Sequence, residues 1–141
     1  MKRSQIEQSI KAYFRPQRDV VAVYLFGSFA NAEQRPDSDV DIAVLCHPDK
    51  TREEYFELEL AYFVGLSRAV AKNLDIVILN CSGELLCYEV FRTGRVLFER
   101  DRDRRVSFQS QMLCRYFDLQ PRLHQMTQGM VKKLREKGAH G

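Results

Sequence analysis

The chain has 141 residues, 45% of them hydrophobic and 29% charged, a balance that excludes a disordered chain and suits one modest core rather than two. Net charge is +3, and Lys and Arg are mixed with acids except in the tail Lys132-Lys133-Leu134-Arg135-Glu136-Lys137, so nucleic acid is not expected as the main partner. No run approaches the roughly 18 apolar residues of a membrane span, and Met1-Lys2-Arg3-Ser4 opens no apolar signal region. The chain therefore reads as cytoplasmic.

Ile6, Ile10, Tyr13 and Phe14 recur at helical spacing ahead of Arg15-Pro16. Residues 20–26 form a short β-branched apolar run that ends at Gly27 and reads as a buried strand. The polar stretch from Asn31 to Asp37 contains Pro36 and reads as a loop; Val40 to Leu45 reads as a second strand, broken at His47-Pro48. From Glu53 to Lys72, Phe56, Leu60, Phe63, Leu66 and Val70 keep one helical face. Leu74 to Leu79 is a third strand, Glu84 to Thr93 a helix with Gly94 at its C-terminal cap, and Arg95 to Glu99 a short fourth strand. The remainder to about Lys137 is helical, with Pro121 expected to kink or divide it.

This order predicts an α+β fold, a small mixed sheet with helices packed on it. It is expected to form a single domain over 1–141, with a core of about 1–100 and a helical C-terminal segment of about 101–137. Met126, Met130 and Leu134 on that segment suit either an adaptable protein contact, since they exceed what a small sheet can cover, or packing on the domain's own sheet. Cys46, Cys81, Cys87 and Cys114 match no metal spacing and read as free thiols.

The chemistry concentrates in a few residues. Asp39 and Asp41 stand two apart at the start of a strand, so both carboxylates point to one face, with Cα atoms about 6.5–7 Å apart. Strands disfavour Asp, and two like charges ~4 Å apart repel by roughly 4 kcal/mol at an effective dielectric near 20. A cation between them removes that penalty, and hard oxygen ligands left partly open suit Mg²⁺. Gly27 lets the backbone approach a phosphate closely, and Ser28 adds a hydroxyl donor. Asp75 interrupts the apolar run 74–79; if its strand pairs with that of Asp41, it could hold a second metal ion and activate an attacking hydroxyl. A calcium loop starting at Asp37 fails, because it needs Gly and Glu where the chain has Ile42 and Pro48.

Phe26-Gly27-Ser28-Phe29-Ala30 followed by Ser38-Asp39-Val40-Asp41-Ile42 resembles the signature of the DNA polymerase β-like nucleotidyltransferases: Gly-Ser, a spacer, Asp-x-Asp and a later strand Asp. In size and organisation the chain looks most like the minimal nucleotidyltransferase (MNT) antitoxins, and Tyr116-Phe117-Asp118-Leu119-Gln120-Pro121 resembles their Tyr-x-Asp-x-x-Pro element. The resemblance implies catalytic and metal-holding roles for Asp39, Asp41 and Asp75 and nucleotide binding at Gly27 and Ser28. It also implies ATP as substrate with Mg²⁺, and a HEPN ribonuclease toxin as partner, silenced by AMP placed on a tyrosine hydroxyl. Asn31-Ala32 departs from the Arg-Gly common in that family and removes a possible phosphate contact. Two other readings stay open: an antitoxin that acts by occlusion alone, and a nucleotidyltransferase acting on a small molecule such as an aminoglycoside.

Overall fold

The structure is a computed structural model that describes residues 2–27 and 39–140, with side chains given except at 123, 124, 127 and 136–140. The elements run α1 (Arg3–Phe14), β1 (Val20–Phe26), β2 (Val40–Cys46), α2 (Arg52–Ala69), β3 (Leu74–Ile78), α3 (Glu84–Thr93), β4 (Arg95–Glu99) and α4 (Arg102–His140). A single turn of 3₁₀ helix, Leu79–Cys81, leads towards α3. The four strands form one sheet in the order β3-β2-β1-β4. β1 is antiparallel to both β2 and β4, whereas β2 and β3 are parallel. This is the small mixed sheet that the element order predicts. The loop expected at Asn31 to Asp37 lies outside the described residues.

The central strands are apolar on both faces because both faces are covered. On one side Val23, Leu25, Ile42 and Val44 pack with Ile6, Ile10 and Phe14 of α1 and with Tyr55, Tyr62 and Leu66 of α2. On the other, Ala22, Tyr24, Ala43 and Leu45 pack with Cys87 and Val90 of α3 and Met112 of α4. Side-chain bonds fix the ends of the elements. Asn80 donates to the Cys46 carbonyl (2.9 Å) and accepts from the Cys46 N–H (2.8 Å), which ties the far end of β2 to the turn after β3. Arg100 donates to the carbonyls of Arg15, Gln17 and Val20 and so satisfies the end of α1 and the start of β1. All four cysteines are free.

Two expectations need correction. The face of α2 carrying Phe56, Leu60 and Phe63 is exposed, and the buried face carries Tyr55, Tyr62 and Leu66. Both stripes have helical spacing, so periodicity alone could not choose; the helix sits where Tyr62 meets Phe14 edge-on at 5.3 Å. The start of α2 was legible in Thr51-x-x-Glu54, where Thr51 Oγ1 accepts from the Glu54 N–H and Glu54 Oε1 accepts from the Thr51 N–H, both at 3.2 Å. Second, of the kink or division expected at Pro121, the division does not occur: α4 continues through it. Pro121 removes one N–H, but every described residue from Gln120 to Arg135 is exposed, so water can take the freed carbonyl. No described helix is long and apolar enough to cross a membrane.

Gly94, at the C-terminal cap of α3 as expected, is required by space rather than by its backbone angle. A Cβ there would stand 2.6 Å from the carbonyl oxygens of both Leu25 and Val90, neither of which can move without breaking β1 or α3.

Candidate active site

Of the predicted residues, Gly27, Asp39, Asp41 and Asp75 meet at one end of the sheet. Asp41 is the second residue of β2, flanked by Phe26 of β1 on one side and Asp75 of β3 on the other. The parallel pairing of β2 with β3 therefore puts Asp75 directly across from Asp41, on the same sheet face and one strand spacing, about 4.8 Å, away. Asp39 precedes β2 and is exposed, as is Asp75, while Asp41 is half-buried. All three continue the row of Ala43, Leu45 and Val77, which lies on the α3–α4 side of the sheet. They form the polar end of an otherwise apolar face.

Asp41 holds its proton more tightly than an ordinary carboxyl, first because burial disfavours the charge, then because Asp75 and Asp39 repel it. Among the described residues, no three His, Cys, Asp or Glu side chains close into a metal-chelating cluster. A row of carboxylates that repel one another, open to solvent on one side, fits a hard cation that also takes oxygens from water and phosphate.

Gly27 adopts a positive φ of 70° as the chain leaves β1, the left-handed region where a side chain is costly. A second constraint acts at the same atom. A Cβ on Gly27 would lie 2.2 Å from Asp41 Oδ2 and 3.2 Å from its Cγ. The glycine thus makes room for the central carboxylate as well as for a ligand. The sequence pointed to Gly27 as a close-approach residue but not to Asp41 as what approaches; the signal lay in pairing β1 with β2 so that Phe26 faces Asp41. Ser28 and the departure at Asn31-Ala32 lie outside the described residues.

Residues 8–103 match the profile of the polymerase beta nucleotidyltransferase family. A protein adenylyltransferase, MntA, from Shewanella oneidensis is 35% identical over 81 residues, a stretch covering 57% of this chain and 55% of that protein. The match thus spans little more than half of that relative's length. A solved toxin–antitoxin structure with AMP-PNP aligns at a TM-score of 0.71 and 26% identity, over 89% of this chain and 98% of the matched chain. A solved complex of a tri-AMPylated Shewanella oneidensis HEPN toxin with an MNT antitoxin aligns at 0.69 and 24%, over 92% and 99%. With the match running from α1 past β4 and the carboxylate row set beside the Gly27 turn, the chain belongs to the polymerase beta nucleotidyltransferase family.

Proposed function

We propose that this chain is the antitoxin of a HEPN toxin pair, a Mg²⁺-dependent adenylyltransferase that moves AMP from ATP to a tyrosine hydroxyl of the toxin. The observation that carries the reading is the pair of Asp41 and Asp75, two carboxylates set side by side although they repel each other, next to the Gly27 turn. The family match, the relative named an adenylyltransferase and the likeness to a toxin–antitoxin bound to an ATP analogue support it.

In this reading Asp39 and Asp41 would hold Mg²⁺, with Asp75 open to a second ion, and the metal would supply charge neutralisation for the phosphate oxygens. Gly27 and Ser28 hold the phosphates through backbone N–H groups and a hydroxyl. Asp75, exposed at the rim, receives the proton of the acceptor hydroxyl. The hydroxyl oxygen bonds to the α-phosphorus as the bond from that phosphorus to the bridging oxygen breaks, and pyrophosphate leaves. Asp75→Asn is accordingly expected to keep nucleotide affinity and lose about 10²–10⁴-fold in rate. Equal losses in affinity and rate would instead make Asp75 a binding ligand, which titration calorimetry alongside single-turnover kinetics distinguishes.

The sheet with α1–α3 forms the catalytic part in this reading, and the outer half of α4 meets the toxin. Met126, Met130 and Leu134 are at least 64% exposed and cover no part of the core. A chain ending after Arg122 is therefore expected to stay folded, within a few degrees of the full-length melting temperature, and to lose the toxin in pull-down. Unfolding of the shortened chain would show that the segment belongs to the core.

The reaction itself is tested by incubating chain and toxin with ATP and Mg²⁺ and weighing the toxin by mass spectrometry. Whole AMP increments, absent with Asp39→Asn, are the expected result. A toxin that is inhibited but unmodified would make the chain an occluding antitoxin, and labelling of a small molecule alone would overturn the reading.

A further inference from the structure

The stripe on the outer face of α2 has no work in a single copy. Phe56, Leu60, Phe63 and Val64 are 44–59% exposed and recur at helical spacing, so they lie along one side. The core is already covered by Tyr55, Tyr62 and Leu66 from the other side of the same helix. Four large apolar side chains in a row on an exposed helix mark a contact surface. We propose that this face is the twofold contact of a homodimer, in which α2 packs antiparallel against α2 of a second copy.

Three features select a second copy as the occupant. The stripe is centred on the helix: α2 spans Arg52–Ala69 and Leu60 stands at its middle. Antiparallel pairing about a twofold axis therefore lays stripe on stripe, with Leu60 against its own counterpart and Phe56 against Val64.

Apart from Arg52, which borders a cavity, the exposed charges beside the stripe divide in the same sense. Glu53 and Glu57 flank the stripe in the first half of the helix, and Arg68 stands in the last turn, all three exposed. Antiparallel packing brings Glu53 of each copy to Arg68 of the other, two symmetric ion pairs. Parallel packing would set the glutamates against each other.

The third feature is shape. A shallow cavity of about 110 Å³ opens beside the stripe, lined by Phe56, Glu59 and Arg52 of α2 and by Ile78 and Cys81 from the end of β3 and the turn after it. Under the twofold, Phe63 of each copy arrives at the level of residue 57 on that same side and fills the other's cavity. Each copy supplies one knob, Phe63, and receives one in its cavity, which an unrelated partner would match only by coincidence of shape and charge.

The dimer needs neither ATP nor toxin, so its test stands apart from the adenylyltransferase reading. Sedimentation equilibrium of the full-length chain alone, over a wide concentration range, is expected to show reversible monomer and dimer. Leu60→Glu should weaken association at least about tenfold without lowering the melting temperature, because the residue is exposed. Arg68→Glu and Glu53→Arg should each weaken it, and the two together in one chain should restore it, since the exchanged charges again face each other. A chain that is monomeric at every concentration overturns the proposal, as does a dimer indifferent to these substitutions. A monomer whose α2 variants lose toxin binding would assign the face to the toxin and overturn it equally.

Discussion

Asp41→Asn is expected to abolish AMP transfer while raising the melting temperature. The catalytic half follows from position: Asp41 is the central carboxylate, with Asp75 across the strand pair. If Asp41 holds Mg²⁺ as proposed, its loss removes several kcal/mol of transition-state stabilisation; about 4 kcal/mol corresponds to roughly a thousandfold in rate. The stability half follows from burial of the carboxylate and its repulsion by Asp75 and Asp39, which raise its pKa. The folded state therefore binds that proton more tightly than the unfolded chain does. Folding stability must fall as pH rises from the ordinary carboxylate range through the raised value, and the full cost is present at neutral pH. Asparagine has the same shape and no charge, so the variant should melt about 1–3 °C above the parent at neutral pH, and the gap should close in acid. Mg²⁺ with a non-hydrolysable ATP analogue should raise the melting temperature of the parent and leave the variant unchanged. Transfer assays and melting curves on the same samples read both halves. Full activity would remove Asp41 from the metal site, and an unfolded variant would make the carboxylate structural.

Gly27→Ala should damage the fold and the chemistry together. An alanine at φ 70° meets the left-handed penalty and also thrusts its Cβ to 2.2 Å from Asp41 Oδ2. Strain of this kind costs about 1–3 kcal/mol, or roughly 3–12 °C in melting temperature at this chain length. The carboxylate can yield only by turning toward Asp75, which repels it, or by pushing the β1 end outward. A displacement near 1 Å is enough to cost about 10²-fold in rate. The two causes separate in an Asp41→Ala background, which removes the atoms that collide but leaves the backbone angle. There, Gly27→Ala should lose a clear part of its penalty, a coupling that a double-mutant cycle measures directly. An identical penalty in both backgrounds would mean that only the backbone angle matters.

The local chemistry of this protein was written in its sequence. The strands announce themselves as short β-branched runs cut off by Gly27, free to turn the chain at positive φ, and by His47-Pro48, where proline has no N–H for a ladder. The shared face of Asp39 and Asp41 likewise needs only the two-residue alternation of an extended chain. What the tertiary structure decided were relations between segments far apart in the chain. Asp75 lies beside Asp41 because a parallel crossover through α2 fixes the register of β3, and a slip of one residue would turn its carboxylate to the opposite face. The stripe of α2 that went inside was the one with tyrosines, since Tyr62 fits against Phe14 while Phe56 and Leu60 stay exposed among the described residues. Gly27 guards Asp41 only once β1 and β2 are paired. Periodicity and local stereochemistry act within a few residues and can be read from one segment at a time, whereas register and choice of face are set by what the other segments bring to the contact.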